Sequence, residues 1–278
     1  EAGAVRALSL IGSVQALVPG FAPIAGAWLI GIGGWTLTFW VTAVLSAIVA
    51  VFVGMRASIL PVEAPSKNGE RRGSYLALAR NASYLRYALT HALILGGLIT
   101  FVFSAPYVIA KTMDGTVEDF VLLQMVLVGV FIVSSNIAGL LVTRIGAERL
   151  IFAGTLLVAA SAVALLAFAF AGGRDPFWLY PIMIPVNIGL GIRGGIGFVR
   201  SLAASAPDEA RGSAALMLGI TLLPTVSTAL VAPFIEQGLV ALAIAFAVIV
   251  LPALLLVLIL PPLKETAGTI TAAAMPPH

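Results

Sequence analysis

The sequence contains no cysteine, only two histidines, and charged residues at 10%. Without cysteine there is no disulfide, no thiolate metal site and no cysteine nucleophile. Soluble domains are about 25% charged, so a chain this poor in charge would show water more apolar surface than a monomer tolerates. No Asp or Glu falls inside any of the long apolar runs. H-E-x-x-H, G-x-S-x-G and Walker A patterns are missing, as is any cluster of metal ligands. These gaps remove the common hydrolase, nucleotide and metal chemistries, so neither enzyme activity nor a cofactor is expected. The strict alternation over about 10 residues that marks a membrane β-barrel is missing too.

What is present is apolar length. Apolar residues make up 60% of the chain and the mean hydropathy is +1.10. Eight runs reach the ~20 residues that a hydrocarbon core of roughly 30 Å demands: Ala7–Ile30, Trp35–Met55, Tyr87–Ala110, Phe120–Val142, Leu150–Ala171, Phe177–Val199, Gly212–Ile235 and Leu239–Leu260. The fold class expected is an all-α membrane protein of eight transmembrane helices, with the lipid bilayer as its main partner. Pro261 and Pro262 stop the last run, and residues 263–278 read as a disordered tail.

One long hydrophilic segment, residues 56–86, divides the runs into two and six. It carries Arg56, Lys67, Arg71, Arg72, Arg80 and Arg86 against Glu63 and Glu70. Its second half places Tyr75, Leu78, Ala82 and Leu85 at helical spacing, which suits a helix on the membrane surface. Positive residues collect on the cytoplasmic side of membrane proteins. With the basic segment inside, twelve Lys/Arg share its side: Arg6, the six just named, Arg144, Arg149, Arg200, Arg211 and Lys264. Only Lys111 and Arg174 fall opposite, and Arg193 lies within a run. Both termini are then expected to be cytoplasmic. The net charge of +3 follows from this topology, so no nucleic-acid partner is expected. Trp28, Trp35, Trp40 and Trp178 fall toward the outer ends, where an aromatic belt would place them.

Three short patterns carry a family resemblance. The first run holds Pro19, Gly20 and then Ala22-Pro23-Ile24-Ala25-Gly26-Ala27, followed by Gly33-Gly34-Trp35 and Phe39-Trp40. This resembles the G-P-x-x-G-G antiporter motif of the drug:proton antiporters in the major facilitator superfamily, and most closely the bicyclomycin-resistance branch (Bcr/CflA). Ala22 and Ala27 replace two of the motif's glycines. Residues 139–149 are similar to the family's loop motif G-x-x-x-D-R-x-G-R-R. Gly139, Arg144, Gly146 and Arg149 lie near the pattern, while Thr143 stands where the acid would be, which weakens the motif's charge relay. Phe103-Ser104-Ala105-Pro106-Tyr107-Val108 resembles the branch's S-x-P-[FY]-V.

The resemblance implies two six-helix halves joined by a cytoplasmic linker. Residues 1–55 would be the last two helices of the first half, 56–86 the basic linker, and 87–262 the whole second half. The sequence would then be a fragment lacking four preceding helices of the same protein, which would be its natural partners. It also implies a secondary transporter in a bacterial inner membrane, moving drugs or other small amphipathic molecules against protons by alternating access. Thr100, Ser104, Tyr107, Asn187 and Arg193 would line the cavity, and the antiporter and loop motifs would serve the conformational change. A major facilitator exporter of a sugar or amino acid, or a non-transporting eight-helix protein, remains open at this point.

Other residues read plainly. Gly189-Leu190-Gly191-Ile192-Arg193-Gly194 spells G-x-G-x-x-G, but without a preceding strand it serves helix packing. Gly191 and Gly195 fit the small-x-x-x-small spacing. Arg193 is a functional suspect by its depth, unless it snorkels to the inner face. His91 can carry a proton near neutral pH, or simply cap or anchor its helix.

Overall fold

The computed structural model describes residues 25–26, 28–56 and 74–263. The chain divides into two units, residues 1–72 and 73–278. In the first, residues 28–33 are helical and end at Gly34, whose φ of 71° only glycine adopts readily. Helix α1 (Trp35–Met55) follows, and none of its residues is buried. Pro19, Gly20 and Pro23 lie outside the described residues, with most of the first expected run and the middle of the basic segment. A side chain on Gly26 would meet nothing within 4 Å.

The second unit is α-helical. Its elements are α2 (Tyr75–Arg80), α3 (Ala82–Thr112), α4 (Val117–Ile145), α5 (Ala147–Phe170), a 3-10 turn at Pro176–Trp178, α6 (Leu179–Ser205), α7 (Glu209–Val231), a second 3-10 turn at Ala232–Gln237, and α8 (Leu239–Ile259). Seven helices among the described residues are long and apolar enough to cross a membrane. Several run past their apolar cores because polar residues cap them. The Asn81 side chain accepts from Tyr84 N and starts α3 five residues before the expected Tyr87. Thr116 and Asp119 form a reciprocal capping box at the start of α4. Asn81 also corrects the expected surface helix. Its extended backbone breaks the run, so Tyr75 and Leu78 belong to α2 while Ala82 and Leu85 belong to α3. Arg86, expected in the linker, sits inside α3 and is 7% exposed.

Hydrogen bonds sort the helix ends onto two faces. On the near face, Asn81 Nδ2 donates to the Ala204 carbonyl, joining the start of α3 to the end of α6. Tyr84 Oη donates to Gly212 O at the start of α7. Arg86 donates to Leu260 O just past α8. On the far face, Asp114 N donates to Arg174 O, joining the α3–α4 and α5–α6 connections. The chain therefore crosses back and forth, with Arg86 and Arg200 on one face and Lys111 and Arg174 on the other.

Helix α3 is the centre, in contact with α4, α6, α7 and α8. Two adjacent glycines let two neighbours close in. A Cβ on Gly96 would stand 3.2 Å from Leu223 of α7, and one on Gly97 would collide with Val250 of α8. Helices α5 and α6 approach backbone to backbone at two glycines: a Cβ on Gly154 would lie 2.5 Å from Gly189 O, and one on Gly189 would strike Gly154 O. The G-x-G-x-x-G stretch is thus a packing surface. Gly191 belongs to it, since a Cβ there would sit 2.5 Å from Ser134 Oγ, whereas Gly195 faces open space. Between these contacts a core of Ile94, Phe101, Leu123, Val158, Met183 and Phe246 fills the unit, with the Phe101 and Phe246 rings edge to face at 6.3 Å.

Candidate functional site

Three features of the second unit bear on function. The strongest is an ionic cluster on the near face. Glu148, in the first turn of α5, accepts from Arg86 Nη2 of α3 at 2.9 Å and pairs with Arg200 Nη1 of α6 at 3.1 Å. Tyr87 Oη donates to its other oxygen at 2.5 Å and accepts from Leu263 N. Arg86 also donates to the carbonyls of Val257 and Leu260, at the end of α8. One carboxylate thus ties four helix ends together. Its charge suits the N-terminus of α5, where the helix dipole favours an anion, and the Arg86 guanidinium does the same for the terminal carbonyls of α8.

The loop motif contains this hub, but its expected members do not form it. Gly146 is the single residue between α4 and α5 and takes a φ of 89°, so it serves as the turn. Gly139 faces open space. Arg144 and Arg149 are exposed and make no ion pair among the described residues. Thr143 only donates to Leu140 O of its own helix. The acid that works is Glu148, and its partners lie 62 and 52 residues away along the chain. Glu148 is the one acid between Thr143 and Arg149, and that was the signal available in the sequence.

The second feature is the set of expected cavity residues. Of the five, only Tyr107 is exposed, at 42%. Thr100 is fully buried and donates to Gly96 O, and Ser104 is 6% exposed. Asn187 is 4% exposed and donates to Met183 O. Arg193 has no exposed surface; it does not snorkel, and its Nη2 donates to Thr90 Oγ1 at 3.0 Å. These four point into helix contacts of this unit.

The third is an apolar groove of about 490 Å³ between α7 and α8. Leu223, Leu230, Phe234 and Val248 are among its walls, and Ser227 and Gln237 supply hydrogen-bonding groups.

The sequence model of the Major Facilitator Superfamily matches residues 4–216. The chain belongs to this superfamily. No curated protein matches it. Membership makes it an integral membrane protein of a secondary-transporter family, which binds small-molecule substrates and is not an enzyme family. The superfamily's architecture also gives the near-face cluster a setting. A bundle whose helix ends are cross-linked by charge can move as one body, as rocking of one half against the other requires.

Proposed function

We propose that the protein exports small amphipathic molecules, drugs among them, in exchange for protons by alternating access. The observation that carries this reading is the groove between α7 and α8. Its walls are almost wholly aliphatic and aromatic, as ligand sites for hydrophobic molecules are. A sugar there would strand most of its hydroxyls without partners, at a cost of about 1–3 kcal/mol for each one left unsatisfied. The Pro/Gly run at residues 19–27 and the Gly-Trp and Phe-Trp pairs after it support the drug:proton antiporter type and its Bcr/CflA branch.

The second unit rocks as a body, with Glu148 and its arginines keeping the near ends of α3, α5, α6 and α8 together. The near face is the cytoplasmic one, since it holds Arg86, Arg144, Arg149, Arg200 and Arg211. Among the described spans, none carries Asp or Glu away from its end turns. Glu148 is already engaged by two arginines. The proton-carrying carboxylate is therefore assigned outside the described residues. A membrane potential of 100 mV adds about 2.3 kcal/mol of driving force per charge moved.

The test is accumulation in whole cells that carry or lack the gene. The expected result is lower accumulation of hydrophobic drugs in the cells that carry it, abolished by a protonophore, with sugar and amino-acid levels unchanged. Equal drug accumulation in all conditions would falsify the export reading. A selective change in sugar or amino-acid efflux would replace the substrate class.

A further inference from the structure

A second polar node lies deeper than the ionic cluster, on α3 and α6. Arg193 is about 18 Å from the near end of α6 by helical rise and has no exposed surface. Its Nη2 donates to Thr90 Oγ1 at 3.0 Å, and its Nη1 reaches Thr90 O only at 3.5 Å. Its Nε has no partner. Among the described residues no carboxylate pairs with it. A cation held at this depth without a counter-charge is costly. His91, the residue after Thr90, is 6% exposed, and its Nδ1 also has no partner. Its ring lies edge-on to Phe198, with centroids 6.4 Å apart.

Both side chains border the same glycine-lined spot on α6. A Cβ on Gly197 would stand 3.7 Å from Arg193 Nη2 and 3.8 Å from His91 Nδ1, and apart from the adjacent residues 196 and 198 and its own helix backbone nothing else comes within 4 Å of that point. A Cβ on Gly194, one turn away, would meet only His91 Cε1 and Leu190 Cδ1, both at 4.0 Å. Glycine at both positions therefore keeps α6 from placing side-chain atoms against the two nitrogens. Gly194, one helical turn away on the same face, is half-buried, while Gly197 itself is buried.

We propose that this spot is an anion-binding site. One negative group sits beside Gly197, accepting from Arg193 Nη2 and from the Nδ1–H tautomer of His91. The guanidinium is a permanent donor, and neutral imidazole offers one N–H. The anion supplies the counter-charge that the surrounding helices lack. A halide or one oxygen of a carboxylate meets this need, so a free chloride ion and an organic acid share the required chemistry. The site stands independently of the export reading.

The test uses the purified full chain, with its unfolding temperature followed in sodium chloride at ionic strength held constant with sodium methanesulfonate, which is neither a halide nor a carboxylate. Sodium benzoate is titrated separately. Gly197→Ala places a methyl group in the spot at ordinary contact distances. It keeps both nitrogens, and alanine is the better helix former, so the variant folds. Chloride is expected to raise the unfolding temperature of the native chain saturably, by about 3–5 °C at roughly ten times its Kd. Gly197→Ala is expected to lose that rise. A saturable response to benzoate but not to chloride, again lost in Gly197→Ala, assigns the site to an organic carboxylate. Equal responses in both proteins, or a saturable response to neither anion, overturn the proposal.

Discussion

Replacing Glu148 by alanine is the sharpest probe of the near-face cluster. The change removes the acceptor of Arg86, Arg200 and Tyr87 together. Two reference values bracket the loss. Breaking a fully buried ion pair costs about 3–5 kcal/mol, and losing an exposed pair costs about 0.2–1 kcal/mol. The Arg86 side chain is 8% exposed and that of Glu148 is 29% exposed, so the true value falls between. Arg86 keeps its two carbonyl acceptors from α8, which limits the damage further. We expect a loss of about 2–3 kcal/mol. For a unit of this size, each kcal/mol moves the unfolding temperature by about 2–4 °C, so the drop is about 5–10 °C. The assay is detergent-solubilised chain heated in steps and scored by the surviving monodisperse peak on size exclusion. Arg144→Gln is the control. That arginine is exposed and outside any ion pair among the described residues, and its loss changes stability by less than about 0.5 kcal/mol. If Glu148→Ala unfolds within 2 °C of Arg144→Gln, roughly one kcal/mol at most is at stake, and the cluster is not what holds these helix ends together.

Two further outcomes follow from the packing and the topology. Gly154→Ala forces the α5 and α6 backbones apart, because its methyl group would lie 2.5 Å from Gly189 O; we expect a loss of about 1–3 kcal/mol. Gly129→Ala, which meets nothing within 4 Å, should be neutral or slightly stabilising in the same heating assay, and a reversed order of the two would discredit the close-approach account. Because the chain has no cysteine, single cysteines at positions 67 and 111 can be labelled without background. An impermeant maleimide added outside intact cells should modify only Lys111→Cys, and labelling of both from one side would remove the assigned sidedness.

The sequence and the structure agree on helices and diverge on partners. Twenty apolar residues in a row must be helical in lipid, because every backbone group has to find its bond within the segment. The spans of the second unit were therefore legible. Their ends were less so, since polar caps such as Asn81 and the Thr116–Asp119 box continue the helix beyond the apolar run. Arg86 shows the consequence. Hydropathy grouped it with the linker cations, yet it lies in α3 against Glu148. The loop motif pointed to the turn at Gly146, while the ion pairs beside it are made by Glu148 rather than by Arg144 or Arg149. Sequence spacing marked Arg144 and Arg149, while burial and reach selected Glu148.

The sequence by itself determined a helical membrane protein, because desolvation of peptide groups acts residue by residue. Only the tertiary structure decided which of many similar residues meet. Gly154 and Gly189 press backbone on backbone while Gly129 and Gly195 face open space. Arg193 finds Thr90 across 103 residues of chain. Such pairings depend on the register and approach of whole helices, and no local pattern encodes them.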